Sequence, residues 1–168
     1  MNLPVGQNLQ DHLLTVVGPF VFDEKVADTF NPFRDANLEN LLEYATTATG
    51  PLTAAVKAIP NVGYYNTPNS VNARRRNWPD IQYYQMASGL PDGVGPALEQ
   101  TANIKAKIFE DYIRPVVGRD AHLIVQALAR PYSRGEIKLA GIDPFKKPII
   151  QPNYLEHEKD RRAMIDGK

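Results

Sequence analysis

The chain has no cysteine among its 168 residues. That excludes a disulfide framework, a thiolate nucleophile and cysteine-ligated zinc, and it fixes no compartment. Charge of neither sign is in surplus, since nineteen Lys and Arg balance nineteen Asp and Glu. Nucleic acid is therefore not expected as the main partner, because phosphate binding needs a basic excess. No apolar run approaches the roughly 20 residues of a membrane span. There is no G-x-G-x-x-G, no P-loop and no G-x-S-x-G. Histidine is scarce: His12, His122 and His157 are widely separated, a spacing that supports no histidine metal site. The opening Met1-Asn2-Leu3-Pro4-Val5-Gly6 has neither a basic nor an apolar signal region. Neither end reads as a natural boundary, so the chain is expected to be a piece of a longer protein.

What is present is ordinary for one globular domain, with 43% hydrophobic and 23% charged residues. A chain of this size can bury a real core. Fourteen prolines against eleven glycines point to short elements with stiff connections. Leu13–Phe22 reads as a strand bent at Gly18-Pro19. Residues 23–37 read as loop. Asn37 caps a helix with Leu38, Leu41, Leu42 and Ala45 at helical spacing, closed by Gly50-Pro51. Val62–Asn66 and Ile81–Met86 are strand candidates, and Thr67–Asn77 is an expected exposed loop. Ala97–Ile113 is expected as the longest helix. Ala121–Ala129, apolar on both faces, reads as a central strand. Glu136–Leu139 alternates cleanly and is expected to pair with it as a hairpin. A last helix begins near Glu156 or His157. Strands in consecutive pairs predict an α+β fold with a largely antiparallel sheet backed by helices.

No catalytic centre emerges from the residues alone. Asp11-His12 are adjacent and point apart in extended chain, so a structural hydrogen-bonding role outweighs an acid–base one. His122 shares a face with Gln126 and reads as a core or cavity-wall histidine; His157 reads as part of a solvated helical turn. Arg74-Arg75-Arg76 near Trp78 is read as a solvated loop beside an anchoring tryptophan rather than an anion patch. Tyr83-Tyr84 between Gln82 and Gln85 suits either a pocket for a polar organic ligand or a packed sheet face. Period-two alternation separates Gln82 and Tyr84 from Ile81 and Tyr83. The hydrogen-bonding pair is expected on the cavity side.

Two segments carry a further signal. Leu3-Pro4-Val5-Gly6-Gln7-Asn8-Leu9-Gln10-Asp11-His12 resembles the P-V-G-x-N-L-Q-D-H block of the glucose–methanol–choline (GMC) oxidoreductases. Arg130-Pro131-Tyr132-Ser133-Arg134-Gly135-Glu136-Ile137-Lys138-Leu139, followed by Asp143-Pro144, Pro148-Ile149-Ile150 and Asn153-Tyr154, resembles the family's R-P-x-S-R-G-x-I-x-L block and its continuation. Gly50-Pro51-Leu52-Thr53, Trp78-Pro79-Asp80-Ile81-Gln82 and Tyr112-Ile113-Arg114-Pro115 fall between them in order. The combination is most similar to the arthropod glucose-dehydrogenase-like branch.

The resemblance implies FAD-dependent oxidation of a small-molecule alcohol to a carbonyl. It also implies that residues 1–12 end a junction with the FAD domain and residues 13–168 form an incomplete substrate-binding domain. The FAD fingerprint would lie outside this chain, and the segment bearing the family's catalytic histidine would lie beyond Lys168. No catalytic residue is therefore assigned, and isolated FAD retention is not expected. Asn8, Asp11 and His12 match the block near the cofactor; Gln82, Tyr84 and Gln126 are the substrate-cavity candidates. Two other readings stay open: a stand-alone, non-catalytic binding module derived from such a domain, and a truncated gene model.

Overall fold

The computed structural model describes residues 3–23, 29–53, 61–68 and 78–168. Among these residues seven strands form two antiparallel sheets, accompanied by five α-helices, an α+β fold. The strands are β1 (Gln7–Leu9), β2 (Leu14–Val21), β3 (Asn61–Tyr65), β4 (Ile81–Gly89), β5 (Asp120–Leu128), β6 (Gly135–Lys138) and β7 (Ile149–Gln151). The helices are α1 (Pro32–Asp35), α2 (Leu38–Thr47), α3 (Val94–Ala102), α4 (Ile108–Ile113) and α5 (Glu158–Asp166). One sheet runs β2-β5-β4-β3 and the other β1-β6-β7. The chain divides into two compact units, residues 1–15, 63–83 and 126–168, and residues 16–62 and 84–125.

In the first unit, Leu128 N–H donates to Leu13 O (3.0 Å), Ala129 N–H to Asp80 O (2.8 Å) and Asp80 N–H to Tyr65 O (3.1 Å). Beneath α5 lies the core of Ile81, Leu128, Ala163 and Met164, with Leu13, Tyr83 and Leu155 packed against it. This burial is the main force holding the helix, at roughly 1.5–3 kcal/mol per large apolar side chain. His157 caps α5, its Nδ1 accepting from Lys159 N–H at 3.2 Å. Thr67, expected in an exposed loop, is fully buried because its amide and hydroxyl both donate to the Asp80 carboxylate, at 2.8 and 2.6 Å. Residues 69–77 of that expected loop, with the Arg74-Arg75-Arg76 run, lie outside the described residues.

β6 does not pair with β5. The expected hairpin is replaced by antiparallel pairing of β6 with β1 (Gln7 opposite Glu136) and with β7 (Ile137 opposite Ile150). The cause is the connecting segment, which is tied elsewhere: Tyr132 and Ser133 donate their amides to Asp160 on α5, at 2.8 and 2.7 Å. Gly135 then lets β6 approach its neighbour, since a Cβ there would stand 2.1 Å from Gln151 O.

In the second unit, Phe22 N–H donates to Asp120 O (2.9 Å) and Leu90 N–H to Arg119 O (2.9 Å). Arg34 joins Asp35 and Asp120, with its Nη1 2.5 Å from Asp120 Oδ2 and its Nε 2.7 Å from Asp35 Oδ1. These bonds, above all to Asp35, hold the guanidinium firmly protonated. α1 lies inside the segment expected as loop, started by Asn31 as cap and Pro32 in its first turn. α2 starts at Asn37 as expected, the cap side chain accepting from Asn40 N–H at 2.9 Å. Its Leu38, Leu41 and Leu42 stay exposed.

The expected long helix over 97–113 is two helices. The chain enters left-handed conformations at Asn103 (φ 53°) and Lys107 (φ 70°). Glu99, buried at the end of α3, accepts amide hydrogens from Lys107 (2.9 Å), Phe109 (2.7 Å) and Glu110 (2.9 Å). That carboxylate supplies α4 with the cap its own N-terminal residue lacks. The same bonds hold the Glu99 carboxyl below the usual glutamate range.

Candidate functional site

The two segments farthest apart in sequence, 3–12 and 130–155, are neighbours in the first unit. β1 lies on β6, and the register shifts between Gln7 and Leu9, where Asn8 takes a left-handed φ of 61°. Ile137 N–H donates to Gly6 O at 2.7 Å, and a Cβ on Gly6 would stand 2.1 Å from Ile137 O. Gln10 Nε2 donates to Pro131 O at 3.1 Å. Asp11 is the hub: it accepts from its neighbour's His12 N–H (2.9 Å) and from the Tyr154 hydroxyl. That hydrogen bond to a carboxylate, with burial second, pushes the Tyr154 phenol up from its ordinary range.

His12 Nδ1 lies 2.8 Å from Leu128 O. A carbonyl can only accept, so Nδ1 carries the hydrogen and Nε2 keeps a lone pair in the neutral ring. Asn8, Asp11 and His12 are all exposed. Of the three, Asp11 has a structural task in holding Tyr154. Asn8 and His12 Nε2 present polar atoms at the surface, suited to the edge of a polar heterocycle. The glycines that do open a helix, Gly93 as the N-cap of α3 and Gly95 in its first turn, are not part of a G-x-G-x-x-G fingerprint, the arrangement that grips a pyrophosphate. The donor set thus fits an edge contact with a flavin and not the binding of its phosphates.

The cavity candidates separate. Ile81, Tyr83 and Gln126 face α5: Gln126, 1% exposed, donates from Nε2 to Met164 O at 3.0 Å, and the Tyr83 hydroxyl donates to Gly167 O. Burial raises the Tyr83 phenol's pKa, with Tyr65 and Asp80 adding to it. Gly167 is where both meet, since a Cβ there would lie 2.5 Å from Gln126 Nε2 and 3.1 Å from Ile81 Cγ1. Lys168, beyond which the resemblance puts the catalytic histidine, is exposed just past α5, its amide donating to Ile165 O at 3.3 Å. It serves the end of that helix and joins none of the candidate residues by a hydrogen bond or ion pair. Gln82 lies on the other face of β4, where its Nε2 donates to the Tyr64 hydroxyl at 3.1 Å. The structure therefore does not bring Gln126 together with Gln82. Tyr84, in the second unit, is half-buried. His122, also there, packs between Phe20 and Phe22, with ring centroids 5.1 and 5.9 Å away.

Sequence reasoning missed three residues. Tyr64 joins Gln82 through a cross-strand register that β3, with every residue exposed, does not advertise. Tyr154 belonged to a recognised block, but its bond to Asp11 spans 143 residues. Asp160 is the third: 1% exposed, it binds the Tyr132 and Ser133 amides and the Ser133 hydroxyl (2.6 Å). Its signal was available in principle, as a carboxylate in the first turn of a helix beside a fixed Ser-Arg-Gly turn.

A family model described as GMC oxidoreductase matches residues 131–168. An uncharacterized GMC-type oxidoreductase of Mycobacterium bovis is 30% identical over 165 residues, covering 97% of this chain and 25% of that protein. The FAD, quinone glucose dehydrogenase of Drosophila melanogaster is 30% identical over 171 residues, covering 99% of this chain and 23% of the relative. Alcohol oxidase 2 of Komagataella phaffii is 27% identical over 175 residues, covering 98% and 24%. The chain thus spans about a quarter of the length of these relatives. With both of its motif blocks joined in one unit and its whole length aligned to such proteins, the chain belongs to the GMC oxidoreductase family.

Proposed function

We propose that this chain is the substrate-binding part of an FAD-dependent oxidoreductase acting on the CH–OH group of an alcohol. Residues 1–12 would be the junction with an FAD domain and residues 13–168 the substrate-binding domain. The observation that carries this reading is the joining of segments 3–12 and 130–155 by β1–β6 pairing and the Asp11–Tyr154 bond, with Asn8 exposed on β1, the edge strand of its sheet, and His12 exposed just past it. In a longer protein that edge faces the cofactor.

FAD, when bound, supplies the acceptor for the hydride that leaves the alcohol carbon. This chain's residues orient and support. Gln82 lies on the β4 face opposite the one α5 covers and brings Tyr64 with it, and period-two alternation gives Tyr84 the same side of the strand as Gln82. Tyr64 Oη accepts from Gln82, so its own hydrogen remains to be donated, while Gln82 Oε1 remains to accept. A donor and an acceptor side by side match a hydroxyl group, which both gives and takes a hydrogen bond. His12 Nε2 and Asn8 contribute polar contacts toward the cofactor edge. Gln126 holds the end of α5 rather than the ligand.

The test is the longer protein encoded around this segment. Purified, it is expected to be yellow with stoichiometric flavin and to reduce an artificial electron acceptor with an alcohol. Tyr84→Ala in it should lower kcat/KM clearly. A colourless protein, or one without alcohol-dependent reduction, would support the non-catalytic module instead.

A further inference from the structure

Among the described residues, Arg34, Arg114 and Arg119 of the second unit and Lys138 and Arg162 of the first each stand against a carboxylate. The surface around the 130–134 turn and the start of α5 differs. Segments 130–134 and 156–162 hold five cations and three acids. Of those acids, Asp160 is buried and occupied by the Tyr132 and Ser133 groups, and Glu158 is taken by Arg162 at 2.8 Å, leaving Glu156 exposed.

Four of the cations have no ion pair among the described residues. Arg134 Nη1 donates to Pro131 O (2.7 Å) and Arg161 Nη1 to Glu156 O (2.8 Å), so both are fixed by neutral carbonyls. Arg130 is laid flat on an indole, its Cζ 3.5 Å from the centre of the Trp78 ring. Lys159 Nζ stands 4.8 Å over the Tyr132 ring, which His157 also stacks against at 5.2 Å. Trp78 and Tyr132 are 48% and 41% exposed, so the two cation–ring pairs lie at the surface. A guanidinium on an aromatic face keeps its N–H fork pointing outward along its edge, pre-organised for a carboxylate.

We propose that Trp78, Arg130, Tyr132 and Lys159 form a docking surface for an acidic protein segment. The rings carry cations on their faces, which leaves less room for stacked bases than a single-stranded nucleic acid needs. No large aliphatic side chain is part of the platform, as insertion into a lipid surface requires. Carboxylates on a peptide match both the fork of Arg130 and the point charge of Lys159. The association is weak, fast and salt-sensitive, in the manner of electrostatically steered encounters.

Trp78 is the chain's single tryptophan, so its fluorescence reports on this surface directly. The 168-residue chain is titrated with an octa-glutamate peptide, an octa-glutamine peptide, a thymidine octamer and phosphatidylserine vesicles. The proposal expects a saturable emission change with octa-glutamate, none with octa-glutamine, and loss of the response as salt is raised. Arg130→Gln with Lys159→Gln should weaken binding about fivefold, since exposed charge pairs are individually modest. Lys159→Gln alone, which touches no core residue, should weaken it measurably with an unchanged circular-dichroism spectrum. Arg114→Gln, in the other unit, should leave affinity unchanged. Equal responses to the two peptides, unaltered affinity in the double variant, or tighter binding of the oligonucleotide or vesicles than of octa-glutamate would each overturn the proposal.

Discussion

Asp160→Ala removes the acceptor on which the 130–134 turn is built. The native carboxylate receives three hydrogen bonds, from Tyr132 N–H (2.8 Å), Ser133 N–H (2.7 Å) and Ser133 Oγ–H (2.6 Å), at a site only 1% exposed. Leaving a buried donor unsatisfied costs about 1–3 kcal/mol. The Ser133 hydroxyl can rotate to another acceptor, and Tyr132 is near enough to the surface for water to reach its amide. The sum therefore falls near the low end, about 3 kcal/mol, a large part of the 5–15 kcal/mol typical of a domain. In urea the midpoint should drop by about 1–2 M at an unchanged slope. Asp160→Asn keeps one acceptor oxygen and should lose about half as much. Ser133→Ala should cost about 1 kcal/mol, and the Ser133/Asp160 double variant should cost less than the two losses added, because they share one bond. Far-UV circular dichroism and Trp78 fluorescence follow the unfolding together. An Asp160→Ala loss below 0.5 kcal/mol, on a scale where such networks cost several, would refute the claim that this carboxylate holds the turn.

Gly135→Ala should abolish stable β6–β7 pairing, because its Cβ would meet Gln151 O at 2.1 Å, a backbone atom that cannot step aside; the readout is loss of amide protection in Ile149–Gln151. Glu99 stabilises the fold as a carboxylate, and its pKa is depressed by the amides of Glu110, Lys107 and Phe109. Its contribution is therefore complete above the ordinary glutamate range and is lost as pH falls through the depressed folded value. Glu99→Gln should be less stable than the parent at neutral pH and converge with it in acid, as followed by thermal unfolding. The purified 168-residue chain should not hold FAD stoichiometrically, read as the absence of visible flavin absorbance after incubation with excess cofactor and removal of the unbound part by gel filtration.

Local signals were legible in the sequence, and closures over long distance were not. Asn37 as a cap, the alternation in β4 and the apolar run of β5 were readable because each depends on a few neighbouring side chains. Period two grouped Ile81 with Tyr83 on β4, apart from Gln82 and Tyr84, and Ile81 and Tyr83 do lie under a helix. That helix is α5, from the far end of the chain. The single long helix over 97–113 failed because Glu99 turns inward and caps a second helix, a choice that hydrophobic spacing does not register. The β5–β6 hairpin failed because β1 and β7 hold the edges of β6. At the site, the two motif blocks were visible separately, but the Asp11–Tyr154 bond that joins them and the Tyr64–Gln82 pair depend on register, which no local pattern encodes.

The three-stranded sheet has a consequence for how this protein is made. β6 and β7 are neighbours in the chain and can pair once both have left the ribosome. β1 emerges before both, with Gln7 separated from its partner Glu136 by 129 residues. Closing a loop that long costs about 4 kcal/mol in its length-dependent part, and such non-local pairing slows folding. Until β6 has been made, the strand that carries Asn8 and leads to Asp11 and His12 lacks its partner in this sheet. The edge proposed to face the cofactor thus acquires its shape only after a strand that follows it by 129 residues.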